Sequence, residues 1–291
     1  MEYLLNIGTM LCIYAILVLS ANLTVGLANL LTMCQAAFYG IGAYLGAFFL
    51  MRMHLPFTLV ALAVMSATGL VSLVVSYASV KLKEDYFILA TLGVQMIVLT
   101  VLTNWTDVTS GPYGVSGIPP VRVLGIWSLD TSLSMFLLCA LVALLTIWFF
   151  SRLQKSPYGR MLRAVRSDEI SVQTLGRNTA SLKASAFFLS SAFAALAGVL
   201  YAAHVSYISP TGFTLDESIF IITGLFIGGI GGSVRGPLAG ALVIVVLPEL
   251  LRFVGLPEEV AAHLRQIIYG AVLVALMFFR PQGLFGDTKL K

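Results

Sequence analysis

The sequence predicts an all-α, polytopic integral membrane protein. It would have about ten transmembrane helices, one early broken helix and a cytoplasmic helical segment, all in a single domain over residues 1–291. Three observations point there. Hydrophobic residues make up 59% of the chain and charged residues 10%, against roughly 25% charged in a soluble domain. Mean hydropathy is +0.96. The apolar runs are long, solid and non-alternating, close to the roughly 20 residues that carry a helix across a bilayer. A membrane barrel would alternate instead.

Residues 3–21 form the first apolar run. Only Glu2 precedes it, with no basic leader, so it reads as an uncleaved first crossing. Residues 22–33 are a shorter run, and residues 35–51 carry Gly40, Gly42 and Gly46. Together these two predict a short, broken crossing and a full one, with the break near Thr32-Met33-Cys34-Gln35. Pro56 opens the run 57–80, and the turn Lys81-Leu82-Lys83-Glu84-Asp85 leads into 86–104. Residues 105–130 are an outer loop rich in turn formers, including Ser110-Gly111-Pro112-Tyr113-Gly114. A crossing at 131–151 follows, and then a polar island at 152–183. Four more crossings are predicted at 184–204, 216–231, 237–253 and 266–280, before a short tail ending at Lys291.

Counting cations orients the chain. With ten crossings, the inner side receives Lys81, Lys83, the seven basic residues of the island, Arg235, Arg280, Lys289 and Lys291. The outer side receives only Arg52, Arg122, Arg252 and Arg265. Cytoplasmic loops keep positive charge, so the island and both termini are expected inside. Losing one early crossing would move Glu2 outside and leave the island where it is.

Within the island, Ser167 is a candidate helix N-cap, with Asp168 and Glu169 in the first turn where the helix dipole favours anions. Gly176 is a natural terminator. That predicts a helix of two to three turns at the membrane surface. It is either an ordinary interfacial connector or a docking helix whose acids pair with a cytoplasmic partner.

Other features limit the chemistry. Cys12, Cys34 and Cys139 are isolated in apolar runs and read as small core residues. The turn between Gly228 and Gly236 has no lysine at phosphate-loop spacing. Its glycines Gly228, Gly232, Gly236 and Gly240 recur every four residues, which suits close helix packing, and Pro237 suits the first position of the next helix. Asp216 and Glu217 sit at a helix start, where capping and the dipole explain them. Glu249 and Arg252 read as a local ion pair near an outer end. His54, His204 and His263 fall near outer ends without metal-ligand spacing. No hydrolase motif appears, and the basic pI near 9.0 reflects the loops rather than a nucleic-acid footprint.

Several segments, in order, resemble the permease subunits of ABC importers for branched-chain amino acids, of the M-type rather than the H-type. They are the small-residue helix from Gln35 to Tyr44, Asp85-Tyr86-Phe87-Ile88-Leu89-Ala90-Thr91-Leu92-Gly93, and the outer signature from Gly111 to Pro119. Arg163-Ala164-Val165-Arg166-Ser167-Asp168-Glu169 with Leu175-Gly176-Arg177-Asn178 and Lys183 follows, and then the turn from Phe226 to Pro237. The chain departs from the pattern at Glu84, at Gln95-Met96 and at Ser171-Val172-Gln173. The resemblance implies that the island is a coupling segment on which Arg163, Asp168, Glu169, Leu175 and Gly176 dock an ATPase. It further implies an H-type second permease subunit, two cytoplasmic ATPase subunits and a periplasmic or extracellular substrate-binding protein. The chain itself would be a transport subunit of the bacterial cytoplasmic membrane, with no catalytic residue, cofactor, metal or nucleic-acid partner. The alternatives are an importer of the same class for urea or short amides, and an ion-coupled secondary transporter. Thr32, Gln35, Thr91 and Gln95 are the candidate path residues, because broken helices and polar groups line transporter cavities. Interhelical packing and hydrogen bonding would place the same residues equally well.

Overall fold

The computed structural model describes residues 2–53, 55–79, 84–119, 121–123, 127–128, 131–231, 233–252, 267–268, 270–271, 274 and 283–285. Helix α1 (Glu2–Ala21) runs directly into a π-helix at Asn22–Leu27. The chain then reverses through a non-helical stretch, 28–34, in which Asn29 takes a φ of 55°, a conformation asparagine tolerates. Then come α2 (Gln35–Arg52), α3 (Phe57–Ser79), α4 (Glu84–Asn104), α5 (Thr106–Thr109), α6 (Ser132–Lys155), α7 (Pro157–Ser167), α8 (Glu169–Thr174), α9 (Thr179–Val205), α10 (Leu215–Gly228) and α11 (Arg235–Arg252). Among the described residues, five helical stretches are long and apolar enough to cross a membrane: Glu2–Leu27, Phe57–Tyr77, Asp85–Asn104, Ser132–Lys155 and Thr179–Val205.

This is the expected all-α polytopic fold, and the early break lies where the sequence placed it. The run 22–33 is not a crossing of its own. It is the last turns of the first helix plus the non-helical return to α2. The predicted crossing at 266–280 and the basic residues Lys81 and Lys83 lie outside the described residues, apart from isolated positions in the former.

Helix α9 is the axis of the bundle. Of its most apolar stretch 78% is buried, against 22% for α4, whose outer face carries Tyr86, Leu89, Ile97 and Val101. Small residues let α2 lie directly on α9. A Cβ on Gly198 would come within 2.2 Å of the Tyr39 carbonyl oxygen, and one on Gly42 within 2.3 Å of that of Ala195. The pairs Gly42–Ala195 and Gly46–Val199 show α2 and α9 running in the same direction, away from the island. Helices α10 and α11 form an antiparallel hairpin with equally close backbones. Cβ atoms on Gly228 and Gly240 would each stand 2.0 Å from a carbonyl oxygen across the hairpin. The expected packing role holds for Gly228, Gly236 and Gly240, and Gly224 joins them; Gly232 lies outside the described residues. Pro237 is the third residue of α11 rather than the first, still in the turn where a missing N–H costs nothing.

The two ends of the bundle differ. At the island end, Arg166 of α7 donates to the carbonyl of Gly26, and Asn22 donates to that of Gly231. The free carbonyls that close α10 take N–H groups from the tail, Leu284 onto Ile227 at 3.1 Å and Phe285 onto Gly228 at 2.9 Å. At the far end, Tyr3 of α1 donates to Glu249 near the end of α11. The expected partner of Glu249, the Arg252 side chain, lies outside the described residues. Also at the far end, β1 (Val115–Ser116) pairs with β4 (Tyr207–Ile208), and β2 (Arg122–Val123) pairs with β3 (Trp127–Ser128), both antiparallel. The outer-loop signature is thereby stitched to the chain after α9.

Candidate functional site

Helix α2 begins inside the bundle, so its first N–H groups cannot reach water and need protein partners. Four other helices and a turn supply the ties. The Ala36 N–H donates to Ser218 Oγ at 2.8 Å, and the Ala37 N–H to Gln95 Oε1 at 2.7 Å. Gln95 Nε2 donates onward to the carbonyl of Phe213 at 2.8 Å. One side chain of α4 thus ties the start of α2 to the turn Pro210–Phe213 before α10. Gln35 Nε2 donates to Ser20 Oγ at 2.6 Å, and Ser190 Oγ to the Ser20 carbonyl at 2.7 Å, which joins α2, α1 and α9. In the return segment, the Met33 N–H donates to Thr91 Oγ1 at 3.0 Å.

The four candidate path residues therefore converge on the break. Gln35, Thr91 and Gln95 are members of the network, and Thr32 is buried within the return segment itself. None is more than 2% exposed. Ser190 lies 11 residues along α9 from Thr179, about 17 Å at the helical rise, so the network sits near mid-bundle. In this conformation the residues lock the broken helix in place and leave no open channel among themselves. Ser20, Ser190 and Ser218 complete the lock. Nothing in the sequence marks them, because a lone serine in an apolar helix carries no period and no motif. A groove of about 650 Å³ does open between α3 and α9 at the island end, but Leu73, Val74 and Tyr77 make it an apolar surface feature apart from the lock.

The island is more helical than its composition suggested. Helix α6 extends to Lys155, and a separate helix, α7, precedes the predicted one. Ser156 caps α7 by accepting from the Gly159 N–H at 3.3 Å, with Pro157 at its first position. Glycine is required at 159, where a Cβ would sit 2.4 Å from the Leu153 carbonyl oxygen. Tyr158 shares a 2.8 Å hydrogen bond with Ser185 of α9, so α7 is fastened to the bundle at both Tyr158 and Arg166. Arg163 lies on the same helix, half-buried.

Ser167 is not the cap of the next helix. It ends α7, with its hydroxyl donated back to the Arg163 carbonyl. Asp168, in an extended conformation, caps α8 by accepting from the N–H groups of Ile170 at 3.0 Å and Ser171 at 3.1 Å. The Ser171 hydroxyl, then its N–H and that of Ile170, hold the Asp168 carboxyl below its ordinary pKa. Glu169 pairs with Lys183 at 2.7 Å. Both acids are thus engaged within the chain. Helix α8 is six residues long, shorter than the two to three turns expected. Gly176 ends the segment at a φ of +77°. Ile170 and Leu175 are left at 73% and 80% exposure, an apolar pair presented to solvent by a short, well-anchored helix.

The structure also gives Glu217 a partner. Tyr14 of α1 donates to its Oε1 at 2.7 Å across 203 residues of sequence. Only the fold brings these two together.

A helical bundle with one helix starting at mid-depth, and a tethered arm of short helices at one end, is built as a membrane transport subunit. The family described as branched-chain amino acid transport system / permease component matches residues 3–277, and the chain belongs to that family. The high-affinity branched-chain amino acid transport system permease protein LivM of Salmonella typhimurium is 34% identical, over 98% of this chain and 70% of its own length. Its namesake in Escherichia coli is 33% identical over the same shares. The corresponding LivH protein of Salmonella typhimurium is 25% identical over 100% of this chain and 97% of its own length. The resemblance is thus to the M-type, with the H-type more distant. No solved structure matches the chain.

Proposed function

We infer that this chain is the M-type permease subunit of an ATP-driven importer for branched-chain amino acids, embedded in the inner membrane. The observation that carries the reading is the likeness to LivM proteins across 98% of the chain. A related H-type chain completes the pathway as second permease subunit, an external binding protein delivers the amino acid, and two separate ATPase subunits hydrolyse ATP. The ATPase is received on α8, where Ile170 and Leu175 offer apolar anchors. Asp168, Glu169 and Gly176 fix that helix in place, with Arg163 on α7 beside it. Thr32, Gln35, Thr91 and Gln95 border the path at the break in its closed state, so opening would require their network to be exchanged for other partners.

The same reading places the island in the cytoplasm and the first residue outside. The expectation of two cytoplasmic termini rested on three segments before Arg52. With the π-helical end of α1 against α7 and Tyr3 against Glu249, the first fifty residues support one fewer crossing. The substrate is tested by offering radiolabelled leucine and urea to the co-encoded binding protein, followed by uptake into vesicles holding the assembled importer. Leucine captured and transported is the expected result; urea captured in its place overturns the reading.

A further inference from the structure

We propose that Glu217, together with Tyr14, Tyr39 and Tyr201, forms a subsite for the ammonium group of the transported amino acid in the half of the bundle away from the island. The proposal rests on the amino-acid import reading above. Glu217 lies in the first turn of α10 and is half-buried. Tyr14 donates to Oε1. Tyr39 and Tyr201 stand with their rings 5.4 Å apart, that of Tyr201 6.1 Å from Phe213, four residues before Glu217. Phe213 packs on Tyr39 at 5.1 Å and Phe220 on Tyr14 at 6.0 Å, closing the surroundings with aromatic carbon.

Among the described residues, no cation is paired with Glu217. Among the described residues the one ion pair is Lys183 with Glu169, at the other end of the molecule. An ionised carboxylate among aromatic rings at membrane depth is costly without a counter-charge. The helix dipole and one tyrosine hydroxyl offset only part of that cost. A primary ammonium supplies the missing charge, and tyrosine rings add the cation–π attraction that aromatic cages use for such ligands. Urea and short amides carry no cation and would leave the carboxylate as it is. The position also suits transport. The next residue, Ser218, accepts the Ala36 N–H at the start of α2. One turn of α10 therefore faces the ligand with Glu217 and holds the broken helix with Ser218, so occupancy is felt where the path must open.

The test uses the complete importer with its binding protein in proteoliposomes, measuring initial uptake of radiolabelled leucine. In Glu217→Gln the amide oxygen still accepts from Tyr14 and the shape is kept, so a carboxylate that only packs would be replaced without loss. The expected result is uptake reduced about tenfold or more, the scale of a lost hydrogen bond to a charged group. Glu217→Asp, which keeps the charge, should restore uptake to within about threefold of the original, as expected when only geometry is altered. The melting midpoint of the Glu217→Gln complex should stay within about 2 °C of the original. Glu217→Gln transporting at the original rate overturns the proposal. So does loss of uptake with failed assembly or a midpoint lowered by about 5 °C or more, because the carboxylate would then be structural. Failure of the unaltered importer to move leucine would instead refute the import reading, and the two failures are told apart by that control.

Discussion

Asp168 would carry the proposed docking surface without forming it. Its two oxygens are committed to the N–H groups and hydroxyl at the start of α8, so in the proposed docking Ile170 and Leu175 are the residues left to make the contact. If it acts through the cap, Asp168→Ser, neutral but able to cap, should keep the ATPase activity that substrate elicits from the assembled importer. Asp168→Ala should lower it by about three- to tenfold, since alanine cannot cap. Loss in both variants would mean that the charge itself meets the partner. The pH dependence has a definite sign. The folded-state pKa lies below the ordinary carboxylate value, so the ionised cap contributes fully above the ordinary value and is lost as pH falls through the lowered one. Coupling at neutral pH is therefore insensitive to this group. In the sequence, Ser167, Asp168 and Glu169 all suit a helix start. What decides among them is α7, whose last turn already claims Ser167. Glu217 was legible only as a residue favoured by a dipole, because its partner lies 203 residues away.

The elements themselves were largely written in hydropathy. The runs 57–80 and 86–104 match α3 and α4 within two residues at either end. The exception is 22–33, where apolarity continues through the π-helical end of α1 and into the non-helical return. Hydropathy measures the solvent a segment prefers and says nothing of where the helix stops. The break is instead set by the partners of the α2 N–H groups, Ser218 and Gln95, which lie 182 and 58 residues away. Glycine spacing was more informative, since close approach needs only small residues at the contact. The α2–α9 contact offers the direct test. Gly198→Val places a branched side chain where even a Cβ would stand 2.2 Å from the Tyr39 carbonyl oxygen. The three nearest atoms, on Tyr39, Ala43 and Gly42, are all backbone, so none can swing aside. Overpacking of this kind costs about 1–3 kcal/mol or more, and here it falls on the central helix. The variant should be recovered from membranes in much lower yield, with a lowered melting midpoint. Undiminished yield and midpoint would mean that α2 and α9 lie further apart than described.

At the scale of the whole molecule, orientation follows from joining charge to connectivity. The basic island needs the cytoplasmic side whichever way the first fifty residues are threaded, since its cations outweigh every other loop. The N-terminus has no such anchor, because Glu2 is the lone charge before Arg52 and acidic residues weigh little in that rule. We propose its side from geometry: Gly26 meets the island through Arg166, and Tyr3 meets Glu249 about a helix length away. Twenty-six residues of continuous helix span about 39 Å, more than the roughly 30 Å hydrocarbon core, so the two ends of Glu2–Leu27 belong on opposite faces. A single cysteine at Glu2, in a background with Cys12, Cys34 and Cys139 replaced by serine or alanine, should react with a membrane-impermeant maleimide on spheroplasts. A single cysteine at Arg177, on the exposed surface beyond α8, should react only after the membrane is opened. Labelling of both positions only after opening would return the first residue to the cytoplasm and restore a third segment before Arg52. The π-helical end of α1 would then need another course, because Gly26 and Tyr3 cannot face the same side of a straight crossing.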